Sequence, residues 1–108
     1  MELLAVVTTT DSKEAASAIA QALVEKRLAA CVQISAIESF YDWQGAVQQD
    51  LEYRVVAKTT AERYQEVEKT IRDMHSYELP AIYGVPLSAV YGPYADWVKD
   101  NSQGAHES

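Results

Sequence analysis

The feature that most restricts the fold of this chain is a long alternation of apolar and polar residues near its middle. Val47, Leu51, Tyr53, Val55 and Ala57 alternate with Gln48, Asp50, Glu52 and Lys58, the signature of a strand with one apolar face. A turn at Gln44-Gly45-Ala46 precedes it, and before that an extended stretch begins at Ala29. In that stretch Val32 and Ile34 share one face, whereas Ile37, Tyr41 and Trp43 fall on the other parity. The switch near Ala36 predicts a bulge or bend in a long strand. A hairpin from Ala29 to Lys58 is unusually long for a chain of 108 residues.

Two helical stripes flank the hairpin. Ala16, Ile19, Ala20 and Leu23 form the first, with Asp11 and Glu14 at capping-box spacing before it and Lys26 and Arg27 closing it. Tyr64, Val67, Ile71 and Met74 form the second, which Thr59 and Glu62 would cap and which stops at His75-Ser76. Leu3 to Thr8 reads as a buried strand, and Ile82 to Leu87 as a strand ended by Pro86 or exposed at a sheet edge. Pro93 is placed to open a short helix carrying Trp97 and Val98. The order is strand, helix, strand, strand, helix, strand, which predicts an α/β sandwich of the ferredoxin-like βαββαβ plan with a short C-terminal helix. One domain over residues 1–100 and a mobile polar tail over 101–108 are expected.

A formal net charge of −7 argues against duplex nucleic acid as a partner, which requires a basic footprint. No apolar stretch approaches the length of a membrane span. The lone cysteine, Cys31, excludes an intramolecular disulfide and a cysteine-rich zinc site. With an acidic start at Met1-Glu2 in place of a basic signal region, a cytoplasmic location is expected.

Several residues carry candidate chemistry. Cys31 could be a soft metal ligand or redox thiol, or a small buried residue at a strand start. His75 could ligate a metal or sense pH, or cap the end of the second helix. Lys58 could hold an anion with the backbone of Thr59 and Thr60, or simply end its strand while Thr59 caps the helix. Tyr77 and Glu78 are expected to line a pocket, with Glu78 a candidate oxygen donor beside His75. Phe40, Tyr41, Trp43 and Tyr53 place large aromatic groups on the hairpin, where two helices cannot cover them, and so predict contact with another subunit. No phosphate loop, nucleophile elbow or His-Glu-x-x-His pair is present, and an enzyme is not expected.

Six segments in order resemble the CutA (divalent-cation tolerance) family. They are Val6-Val7-Thr8-Thr9-Thr10, Glu25-Lys26-Arg27-Leu28-Ala29-Ala30-Cys31, Phe40-Tyr41-Asp42-Trp43-Gln44-Gly45, Lys58-Thr59-Thr60, His75-Ser76-Tyr77-Glu78-Leu79-Pro80 and Asp96-Trp97. Ser76 departs from the family, which commonly has proline there. The resemblance implies a homotrimer whose subunits add strands to one another, and a link to tolerance of copper and other divalent ions. Under that reading copper or another divalent cation is the ligand class, and Cys31, His75 and Glu78 are the candidate ligands, since thiolate and imidazole suit copper best. The alternative is a trimer that senses a small molecule, as the nitrogen-regulatory signal proteins of the same architecture do. Those surround a nucleotide with basic residues, whereas this hairpin tip is acidic and aromatic and the chain has nine Lys and Arg in all.

Overall fold

The first strand, β1 (Leu3–Thr10), lies in the middle of a four-stranded antiparallel sheet because every residue in it is apolar or a threonine and both its faces are covered. The structure, a computed structural model, describes residues 2–104. After β1 come α1 (Lys13–Glu25), β2 (Cys31–Trp43), β3 (Ala46–Thr60), a single 3-10 turn at Ala61–Arg63, α2 (Tyr64–Met74), β4 (Ile82–Pro86) and α3 (Gly92–Asp100). The sheet order is β2-β3-β1-β4, and every neighbouring pair is antiparallel. This is the ferredoxin-like arrangement the element order predicts.

The alternation of side chains across β1 divides the interior in two. Leu4 and Val6 face α1 and α2 and join Ile19, Leu23, Val67 and Ile71, all essentially buried. Leu3 points to the opposite face, where Ala30 and Val98 of α3 meet it. Gly84 of β4 sits where a Cβ would lie 3.3 Å from the ring of Tyr64, so glycine lets β4 approach the start of α2 without displacing that ring.

Local signals differ from expectation at both helix starts. Ser12, not Asp11, caps α1, its hydroxyl accepting from the Ala15 amide at 3.0 Å. Thr59 caps nothing: β3 runs on through Thr60, and the Thr59 hydroxyl donates to the buried Leu28 carbonyl at 2.6 Å. α1 ends as Lys26 and Arg27 suggest, but through the backbone. Arg27 adopts a left-handed φ of 55°, while the amides of Leu28 and Arg27 reach back to the carbonyls of Leu23 and Val24.

β2 and β3 pair without interruption from Cys31↔Lys58 to Trp43↔Ala46, so the predicted bulge near Ala36 is absent. The change of apolar parity instead reflects a change in what covers the sheet. Val32 and Ile34 pack on the helix-side core, whereas Ile37, Tyr41 and Trp43 turn to the other face farther out. A two-residue turn with positive φ at Gln44 (53°) and Gly45 (83°) closes the hairpin. β1 pairs with β3 only up to Thr10↔Tyr53, so the rest of the hairpin projects beyond the sheet as an arm.

The chain is also held beyond residue 100, where a mobile tail was expected. Arg63 donates from Nε to the Ser102 carbonyl (3.0 Å) and from a terminal nitrogen to the Gln103 carbonyl (2.9 Å). The Gly104 amide donates to Arg27, and Ser102 is buried. Residues 105–108, including His106, lie outside the described residues. Replacing Arg63 with alanine removes both donors, and we expect a loss of about 1–3 kcal/mol in urea unfolding, with faster proteolysis around residues 101–104. An unchanged midpoint and cleavage rate would contradict the role given to Arg63.

Candidate functional site

Where the arm leaves β1, the segment after α2 crosses the end of the sheet and fixes a short polar chain. The His75 ring uses both nitrogens. Nδ1 accepts from the Tyr77 amide at 3.1 Å, and Nε2 donates to the Thr9 carbonyl at 2.7 Å. Together these bonds require the neutral Nε2–H tautomer, since a carbonyl can only accept. The ring packs against Tyr77, with centroids 4.7 Å apart. Tyr77 in turn donates its hydroxyl to Glu52 Oε2 at 2.7 Å.

Glu52 occupies the first β3 position past the end of the β1 ladder and is only 8% exposed. Burial, followed by the hydrogen bond to Glu52, pushes the Tyr77 hydroxyl far above the usual tyrosine value and keeps it a donor. Beside this pair opens a cleft of about 620 Å³, between the arm and the loop that leads into β4. Phe40, Tyr41 and Trp43 line it from the arm, and Tyr77, Glu78 and Leu79 from the loop.

Tyr77 and Glu78, expected at a pocket, therefore do line one, together with three of the four hairpin aromatics. Tyr53 instead lies half-buried against the helix-side core. Glu52 and Tyr83, which also line the cleft, were not singled out by sequence reasoning. Glu52 falls on the polar parity of β3, which reads as solvent-facing unless the loop after α2 is known to cross it.

Cys31 and Lys58 lie elsewhere. They pair directly across β2 and β3, where Cys31 Sγ is 3.3 Å from the Tyr94 hydroxyl of α3 and Lys58 Nζ donates to Gln33 at 2.6 Å. Lys58 has no helix N-terminus beside it, because Thr59 and Thr60 are committed to the ladder with β1. Nor does one chain bring Cys31 to His75. Lys58 pairs with Ala5 and Arg54 with Thr9, so the two sites stand four residues apart along the strands, about 13 Å at 3.3 Å per residue. Sharing an ion demands an approach within about 4–5 Å. Among the described residues no three His, Cys, Asp or Glu side chains gather as a metal site.

The hydrogen bond to Cys31, with burial, pushes the Tyr94 hydroxyl up to about 12 from 10.0. Tyr77 is raised as well. Both protons are held more tightly in the folded chain than in the unfolded one, so the stability they contribute is complete below pH 10. The share of Tyr94 is lost as pH rises from about 10 through about 12, and that of Tyr77 at still higher pH. We expect denaturant midpoints to fall across that window and Tyr94→Phe to flatten the fall; identical slopes for both proteins would contradict it.

Comparison with known proteins agrees with this architecture. Residues 4–101 match the family model described as CutA1 divalent ion tolerance protein. The divalent-cation tolerance protein CutA of Thermus thermophilus is 39% identical over 98 residues, covering 90% of this chain and 95% of that one. Its solved structure superposes with a TM-score of 0.89 at 38% identity, covering 93% of this chain and 98% of that chain. The structure described as the periplasmic divalent cation tolerance protein CutA of Archaeoglobus fulgidus superposes with a TM-score of 0.91 at 35% identity, covering 95% and 100%. That of CutA1 from the psychrotrophic bacterium Shewanella sp. SIB1 gives 0.91 at 40% identity, covering 95% and 97%. Sequence and fold agree over nearly the whole length, and the chain belongs to the CutA1 divalent ion tolerance family.

Proposed function

We propose that this protein acts without catalysis, as a cytoplasmic homotrimer that contributes to tolerance of divalent metal ions. The observation that carries the assembly is the arm. Between Ala46 and Glu52 the outer edge of β3 has no partner strand, and Phe40, Trp43, Val47 and Leu51 around it are each more than half exposed. An unpaired edge beside large apolar groups is a template for strand addition. Burying one such side chain contributes about 2–3 kcal/mol. Three copies related by rotation would let each arm pair with a neighbour. The reducing interior fits a lone thiol that is hydrogen-bonded but not cross-linked.

Weak copper binding belongs to the same reading, with the ion as cargo. Cys31 is the soft donor and is partly exposed, and Glu78 is an exposed oxygen donor. His75 could ligate only after giving up its bond to Thr9 or to Tyr77. The alternative, a nucleotide-sensing trimer, is disfavoured by a cleft whose lining holds no lysine or arginine.

Light scattering tests the assembly. We expect about three times the 12.0 kDa of the chain at micromolar concentration, and a lower mass or melting temperature for Trp43→Ala. A 12.0 kDa particle, or a Trp43→Ala protein unchanged in both respects, would overturn it. For copper, calorimetric titration should show binding weakened at least about tenfold in Cys31→Ser, since thiolate is the preferred donor. Equal binding by both proteins would mark copper as adventitious.

A further inference from the structure

We propose that residues 101–104 form a releasable strap, which opens in the native protein while the helices and sheet beneath it stay folded. The segment Asn101-Ser102-Gln103-Gly104 has no apolar side chain, yet Ser102 and Gly104 are buried. Hydrogen bonds, not apolar contacts, close it. Arg63 holds the carbonyls of Ser102 and Gln103, and the Gly104 amide donates to the Arg27 carbonyl at 2.9 Å. A terminal nitrogen of Arg27 donates to the Asp100 carbonyl at 2.6 Å. These bonds tie the strap to the end of α1 and to the turn before α2.

The same junction carries the cost that favours opening. Ser102 Oγ is buried without a partner among the described residues, and so is Nε of Arg27. Withdrawing such a group from water without replacing its hydrogen bond is unfavourable. Arg27 also holds a left-handed φ of 55°, a strained conformation for a residue with a side chain, and makes no ion pair among the described residues. Opening returns the Ser102 hydroxyl and the Arg27 guanidinium to water. It also frees two guanidinium groups that the closed form commits to backbone carbonyls. The rest of the fold can stay behind. Val98 of α3 is packed with Leu3 and Ala30, and Arg63 keeps Glu66 as its counter-ion at 2.7 Å. With no apolar side chain to uncover, opening exposes little new surface, which separates it from global unfolding. Every contact lies within one chain and none involves the arm, so the inference goes beyond the proposed assembly and does not rest on it.

Native-state hydrogen exchange of the full chain at a series of urea concentrations below the unfolding transition tests the strap. The reporters are the Ser102 amide, which donates to the Lys99 carbonyl at 3.3 Å, and the Gly104 amide. We expect both to be protected relative to an unfolded peptide, at least about tenfold less than the β1 amides, and almost insensitive to urea. Ser102→Ala removes the unpartnered hydroxyl and should raise protection of the Gly104 amide at least about fivefold, leaving β1 unchanged. Arg63→Ala should lower protection of that amide at least about tenfold. If Arg63→Ala does not fold, Arg63→Lys, which keeps the charge but not the two-nitrogen geometry, should act in the same direction. Strap amides that match β1 in protection and urea dependence would make the segment part of the global unit and overturn the proposal. Amides with no protection would show that no closed strap exists. A Ser102→Ala protein with Gly104 protection unchanged or lowered would show that the hydroxyl is not a cost, and would overturn it equally.

Discussion

Everything distinctive in this molecule depends on the β2–β3 ladder outrunning the strand beside it. The pairing keeps one register from Cys31↔Lys58 to the Gln44-Gly45 turn, while β1 stops at Thr10. Inside that limit the hairpin has helices on one face and partial cover from α3 on the other. Outside it neither layer reaches. Backbone hydrogen bonds across the pair are complete, but apolar side chains such as Phe40, Val47 and Leu51 remain in water. A two-stranded ribbon is marginal alone in water. The arm is thus the least covered part of the fold within one chain.

The root of the arm is firmer because polar groups from three elements meet there. Thr9 of β1, Glu52 of β3 and the His75–Tyr77 turn after α2 are joined by hydrogen bonds of 2.7–3.1 Å. Each bond fixes the group that makes the next: the His75 tautomer orients Tyr77, and Tyr77 holds one oxygen of Glu52. Such chains strengthen one another in surroundings of low dielectric constant. The result is a cleft with a rigid, acidic root and a wall formed by the arm.

The sequence made the order of elements legible because period two and period 3.6 separate cleanly here, as in Val47–Ala57 against Tyr64–Met74. Parity was harder to interpret. The shift from Ile34 to Ile37 looks like a bulge, yet the strand is regular and the cover above it changes. Caps were misplaced where two candidates adjoin: Ser12 and Asp11 both suit an N-cap, and geometry selects Ser12. The site was half visible. Tyr77 and Glu78 announce a loop with chemistry, and Trp43 announces an exposed surface, but nothing in a period-two pattern distinguishes buried Glu52 from exposed Asp50. Pairing Cys31 with His75 rested on residue type alone, and sheet register separates them within the chain. Arg63 gave no sign of its hold on Ser102 and Gln103, because those contacts span some forty positions.

Native-state amide hydrogen exchange on the arm tests this account most directly. The outward-pointing amides of β3 between Ala46 and Glu52 have no partner strand within one chain. If the arm is an assembly element, neighbouring copies satisfy those amides, and their exchange should be slowed to the level of the β1–β3 ladder. Rapid exchange there at a concentration where the core amides are protected would show an arm free in water and would contradict the account.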